Sequence, residues 1–185
     1  NKIKTAVFIS GTGSNLKNLI RFSKINKSPI SIDLIISNTN KAKGLQYGKQ
    51  FNIKKKILNF QNIKVIEKKL LTLLIKDRIE FICLAGFMKI LSDDFIKKFN
   101  GKIINIHPSL LPKYKGLNTH SRAIQNRDKF SGCTVHHVTE KLDSGKIIMQ
   151  KKVKITKKDT SITLAKKILK QEHKLYPVAI LKIFN

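Results

Sequence analysis

Val7-Phe8-Ile9-Ser10-Gly11-Thr12-Gly13-Ser14-Asn15-Leu16 carries an apolar strand into a glycine-rich turn and then into a helix. Outward from it the same alternation continues, with strands expected at 4–9, 31–37, 53–58, 81–84 and 102–106 and helices near 14–25, 42–51, 65–77 and 93–99. Strand and helix in turn imply a parallel N-terminal half, so the fold class is α/β with a doubly wound, Rossmann-like sheet. Residues 132–138 and 146–152 read as two strands around a turn at 139–145, which makes the C-terminal part mixed or antiparallel. A long amphipathic helix is expected from Ser161 to Ile183. With 185 residues the chain has room for one domain with a sizeable core and not for two. A single domain over 1–185 is expected, with halves at about 1–100 and 101–185. Nothing reads as a linker or repeat; the loop 108–118, with two prolines and Gly116, reads as a mobile lid.

The glycine turn has two readings. Gly11 and Gly13 let backbone approach a ligand closely, and Ser14 or Asn15 can cap a helix whose amides and dipole favour an anion. No Gly-Lys-Ser/Thr follows, so this is not a P-loop, and Leu16 stands where a dinucleotide fingerprint needs its third glycine. A phosphate cradle and a turn serving only chain reversal are equally supported by this segment alone.

Chemistry is carried by Asn105-Ile106-His107-Pro108-Ser109-Leu110-Leu111-Pro112 and by Leu142-Asp143-Ser144-Gly145. Pro108 cannot donate to a sheet ladder, so Asn105 and His107 sit where a strand ends, on one side of it. An Asn amide and a protonated His both donate to a developing oxyanion, and a carboxylate beside the imidazole raises its pKa and fixes its orientation. Asp143 is the candidate carboxylate, and the trio points to acyl transfer. Either motif alone reads as an ordinary turn; both together, with the glycine turn, favour a site.

With Leu84-Ala85-Gly86-Phe87-Met88-Lys89-Ile90-Leu91-Ser92, Tyr114-Lys115-Gly116-Leu117-Asn118-Thr119-His120 and Gln171-Glu172-His173-Lys174-Leu175-Tyr176-Pro177, these motifs span nearly the whole chain. In that order and at those intervals the chain resembles the folate-dependent glycinamide ribonucleotide formyltransferases of purine biosynthesis. The resemblance implies that Asn105, His107 and Asp143 are catalytic, His107 as proton donor and Asp143 as the group that raises its pKa. It implies that Gly13, Ser14 and Asn15 hold the ribonucleotide phosphate, and that Glu172 lies near the glycinamide end, with Lys170 and Gln171 in the same segment. Met88, Lys89, Ile90 and Leu91, with Thr139, Glu140, Lys141, Leu142 and Asp143 and with Asn105, match the segments around 10-formyltetrahydrofolate, the implied co-substrate. On periodicity alone Met88, Ile90 and Leu91 read as core and Glu172 as a solvated helix residue.

The family pattern has Asn at Thr12, Pro at Lys115 and a second Gly at Ser144. Near Ile63, where the family places an Arg for the folate tail, the available charge is Lys64, which lacks a bidentate fork. The related methionyl-tRNA formyltransferases and formyltetrahydrofolate hydrolases share the Asn-x-His and Asp pattern. Each is expected to carry an additional domain, for which this length leaves no room.

Composition bounds the partners. The net charge is +27, but 34 of the 38 basic residues are Lys and only four are Arg, scattered along every element. Specific nucleic-acid readout draws on Arg and on interleaved aromatics, and here Trp is absent and Tyr numbers three. A basic RNA-binding module is therefore the weaker reading, and no specific nucleic acid is expected. No run of about 18 apolar residues marks a membrane span. Two Cys without metal spacing fit a reduced, cytoplasmic setting, and both read as packed hydrophobes, not nucleophiles. Five His form no metal spacing, and adjacent His136 and His137 on a strand face opposite sides. The expected partners are the two small molecules, with no metal or membrane and with a monomer or homodimer.

Overall fold

The computed structural model describes residues 1–184. The chain divides into two compact units, Asn1–Ile104 and Asn105–Asn185.

In the first unit β1 (Ile3–Ile9), β2 (Ile30–Ser37), β3 (Lys54–Ile57) and β4 (Phe81–Leu84) lie in the order β3-β2-β1-β4. The pairings are all parallel. Strands covered on both faces must be apolar throughout; Ala6, Val7, Phe8 and Ile9 are wholly buried, as are Phe81, Ile82 and Cys83. β3 is the edge, and its exposed Lys54, Lys55 and Lys56 discourage pairing with another chain. The chain steps outward from β1 to β2 to β3 and then returns to the far side of β1. Right-handed crossovers then place helices on both faces, which makes this unit doubly wound.

α1 (Ser14–Ser23) buries Leu16, Leu19 and Ile20 at helical spacing. The helix expected at 42–51 is split into a 3-10 turn at Lys43–Leu45 and a short α2 (Gln46–Gln50). Its start is drawn to the glycine turn, where Gly44 N–H donates to Gly11 O at 3.0 Å. α3 (Ile63–Lys76) and α4 (Asp93–Lys98) complete the unit. The buried Glu67 carboxylate of α3 accepts from both N–H and O–H of Ser92, the cap of α4.

β5 (Lys102–His107) leads from the first unit into the second, which begins at Asn105. There β6 (Phe130–His137) and β7 (Ile147–Lys154) pair antiparallel, as expected for the C-terminal part. α5 (Thr119–Gln125), which no sequence signal marked, precedes them. α6 (Ser161–Phe184) packs on β6, β7 and α5. Its buried stripe is Leu164, Ile168, Glu172, Leu175, Tyr176, Ala179 and Ile180, so a carboxylate occupies a core position. Among the described residues no helix is long and apolar enough to cross a membrane.

Candidate active site

In a doubly wound sheet, ligands gather beyond the carboxyl ends of the strands, where the order reverses. In the first unit that point lies between β1 and β4, and Ser10 knits the loops there. Its N–H donates to Gly86 O at 3.1 Å, its Oγ accepts from Met88 N–H at 2.8 Å, and its O–H donates to Asn38 Oδ1 at 2.5 Å. Gly13 is the helix cap, with φ 73°, and a Cβ there would lie 2.6 Å from Gly44 Cα. Only glycine fits that left-handed, close-packed position. Neither Ser14 nor Asn15 caps the helix; both lie inside its first turn, and the cap makes no side-chain bond. The first-turn amides are thus not capped by a side chain. Asn15 is buried and its Oδ1 has no hydrogen-bond partner.

Leu91 is buried, but Met88 and Ile90 are 62% and 55% exposed. The core reading therefore fails for those two: they hold apolar surface open on a loop pinned by Ser10 at one end and Glu67 at the other. Lys64 is exposed on α3. A surface hollow lined by Lys2, Lys4, Ser31, Arg78 and Glu80 lies at the opposite, amino ends of β1, β2 and β4.

The second unit brings Asn105, His107 and Asp143 together. His107 Nδ1 is 3.4 Å from Asp143 Oδ2, with side-chain exposures of 7% and 6%. On the other side of the ring His107 Nε2 is 2.8 Å from Tyr114 O, and a carbonyl only accepts, so Nε2 carries a hydrogen. The bare nitrogen of the neutral ring is therefore Nδ1, facing Asp143. Asp143 sits in the left-handed region, φ 47°, and its Oδ2 accepts from Gly116 N–H at 2.9 Å. Gly145 closes that turn so tightly on His137 O that a Cβ would clash with it.

His136 joins the group, a residue the sequence reading set aside. The register shifts between Val135 and His136, and both are buried; such irregularities re-aim side chains. Its Nδ1 donates to His137 O at 2.8 Å, which leaves Nε2 of the neutral ring to accept from Asn105 Nδ2 at 3.3 Å. This orients the Asn105 amide and leaves its second N–H uncommitted. Asp143 Oδ1 is 3.7 Å from the same Nε2.

The electrostatics depart from expectation in one respect. Burial lowers the His107 pKa; the bond to Tyr114 and the charge of Asp143 raise it but do not restore it, so it stays below 6.5. Burial also raises the Asp143 carboxyl, yet His136, the Gly116 N–H and His107 together hold it below the usual carboxylate range. His120 on α5 is lowered by burial and then by His107. Glu172 is buried, and burial alone pushes it up to about 7, which corrects its reading as a solvated residue. Lys170 is exposed and Gln171 half-buried beside it. Thr139 is half-buried, while Glu140, Lys141 and Leu142 stand exposed in the Asp143 turn. Burial pushes the Cys133 thiol up to about 12 and Cys83 is buried, so neither is poised as a nucleophile.

The loop expected to be a lid is tied down. Besides Tyr114 O and Gly116 N–H, Arg122 donates to Lys115 O at 2.7 Å and Leu117 O at 3.2 Å. Two departures from the family pattern meet here, Lys115 Nζ donating to Ser144 Oγ at 2.5 Å.

Comparison with known proteins gives a match to the formyl transferase family model over residues 3–180. The chain is 41% identical over 182 residues to the human trifunctional purine biosynthetic protein adenosine-3, covering 97% of this chain and 18% of that protein. It thus spans about a fifth of the length of that relative. It is 42% identical over 180 residues to the phosphoribosylglycinamide formyltransferase of Haemophilus influenzae, covering 96% and 85% of the two chains. The crystal structure of phosphoribosylglycinamide formyltransferase from Brucella melitensis superposes with a TM-score of 0.93 at 41% identity, covering 100% and 96%.

Two outcomes follow from these environments. Asp143→Asn removes a charge that favours the imidazolium, so the His107 titration, followed by NMR in the ligand-free chain, moves to lower pH still; an unmoved titration contradicts the coupling. For Glu172 the folded pKa of about 7 lies above the ordinary 4.5. Its stability contribution is therefore complete below pH 4.5 and is lost as pH rises through 7. Glu172→Gln should be more stable than the parent by up to roughly 3 kcal/mol at pH 8 in urea unfolding, with no advantage at pH 4.

Proposed function

This chain belongs to the formyl transferase family, and we propose that it transfers a formyl group from 10-formyltetrahydrofolate to the amine of glycinamide ribonucleotide in purine biosynthesis. The observation that carries the reading is the convergence of the half-buried Asn105 with the buried His107, Asp143 and His136. Support for the acceptor comes from relatives named phosphoribosylglycinamide formyltransferase at about this length. On this reading 1–185 acts as a single formyltransferase domain.

10-Formyltetrahydrofolate supplies a formyl carbonyl whose bond to the folate nitrogen breaks as the new bond to the amine forms. Asn105 donates its uncommitted N–H to the oxygen that gains charge, and His107 donates from Nδ1. The low His107 pKa does not oppose this, because an anionic oxygen forming beside Nδ1 itself favours the imidazolium. His107 and water near Asp143 carry the proton from the attacking amine to the leaving nitrogen. No acyl-enzyme is required, in keeping with two buried thiols.

Binding roles follow the same division. Gly13, Ser14 and Asn15 hold the phosphate on the first-turn amides of α1. Glu172, with Lys170 and Gln171, receives the glycinamide end; a carboxyl near 7 ionises readily beside an ammonium. The exposed apolar Met88 and Ile90, with Lys89 and Leu91, and the turn Thr139, Glu140, Lys141, Leu142 and Asp143 suit a flat heteroaromatic ring with polar edges. Lys64, exposed on α3, supplies the charge for an anionic tail.

The test is a direct assay with 10-formyltetrahydrofolate and either glycinamide ribonucleotide, methionyl-tRNA or no acceptor, following deformylated folate. Turnover is expected with the ribonucleotide alone. Equal turnover with charged tRNA, or with no acceptor, contradicts the reading.

A further inference from the structure

Tyr114 lies outside the trio, yet it holds one end of it. Its backbone is left-handed, φ 56°, a conformation that side chains rarely adopt. That turn aims its carbonyl at His107 Nε2–H, 2.8 Å away. The phenol at the far end is fixed separately. Its O–H donates to Asp128 Oδ2 at 2.7 Å and its oxygen accepts from Asn126 Nδ2 at 2.8 Å. The Arg122 guanidinium lies 4.9 Å and the Lys113 ammonium 5.2 Å from the ring centroid. Lys113 also bonds Asp128 at 2.7 Å, and Ser109 O–H donates to the carbonyls of Lys113 and Tyr114 at 2.5 and 3.3 Å. Two residues further on, Gly116 N–H holds Asp143 at 2.9 Å. One short loop therefore sets the positions of both imidazole and carboxylate.

We propose that Tyr114 is a positioning residue for His107: its phenol, anchored by Asp128 and Asn126, fixes the carbonyl that reserves Nε2–H and so leaves Nδ1 as the nitrogen that gains and loses the proton. The reaction benefits because Nδ1 is the atom facing Asp143, and a ring free to exchange tautomers would present the wrong nitrogen for part of the time. This assignment rests on the proposed role of His107 as the acid. The groups facing His107 are Asp143 from the 139–145 turn, His136 from β6, and Arg122 and His120 from α5. The Tyr114 bond and the Asp143 charge favour the charged ring, and His136 and Arg122 oppose it.

Imidazole nitrogen NMR on the ligand-free chain reads the proposal without any substrate. The parent should keep Nε2 protonated at every pH while Nδ1 titrates. In Tyr114→Phe and in Asp128→Asn, which loosens the same anchor from its other end, the neutral ring should show both tautomers and the titration should move to lower pH. With 10-formyltetrahydrofolate and glycinamide ribonucleotide, kcat should fall about tenfold and KM for each should stay within about twofold. A kcat loss with unchanged tautomer and titration marks a structural role and overturns the proposal, as does a parent ring whose neutral form carries its hydrogen on Nδ1. A parent chain inert toward the ribonucleotide overturns the proposed function instead and leaves the NMR result standing.

Discussion

The second unit is organised around a buried imidazole–carboxylate contact that has little water to lean on. His107 and Asp143 are 7% and 6% exposed at their side chains and 3.4 Å apart. Desolvation works against both charged forms; further bonds hold the Asp143 carboxyl below its ordinary range but leave His107 below its own. The chain supplies them from backbone: Tyr114 O on one side of the imidazole and Gly116 N–H on the carboxylate. Both come from a segment held down by Arg122. The left-handed residues Tyr114, Gly116 and Asp143 are the local cost of aiming those groups.

The first unit meets a different requirement. The α1 helix begins abruptly, because Gly13 adopts a left-handed cap packed against Gly44. Ser10 then couples that turn to the loop after β4. The charge of the chain is best understood at the surface. Lys54, Lys55 and Lys56 guard one edge strand, and Lys151, Lys152 and Lys154 stand exposed along β7.

Much of this was legible in the chain itself. The strands other than β3, whose Lys54, Lys55 and Lys56 show neither an apolar run nor alternation, were readable from such patterns, and the trio from chemistry and family resemblance together. The misses have physical causes. α5, Thr119–Gln125, is short and polar and buries only Thr119 and Ala123, too few positions to show a period. Glu172 looked solvated because it is charged. Its spacing from Ile168 and Tyr176 placed it on the buried stripe, and that conflict was the available signal. His136 was discounted because strand alternation separates it from His137, whereas a register irregularity, invisible in sequence, accompanies its burial. Prolines and a glycine signal the 108–118 loop but say nothing of the hydrogen bonds that hold it in this arrangement.

The account's central claim is that these buried groups favour a tetrahedral, negatively charged centre over the planar formyl group that precedes it. The most direct measurement is the affinity of a stable tetrahedral analogue of the formyl-transfer adduct, set against that of a ground-state folate, in the parent chain and in Asn105→Ala. The account predicts a loss of about 100-fold for the analogue and less than about threefold for the folate. Equal losses for the two would contradict it, since Asn105 would then be contributing to binding alone.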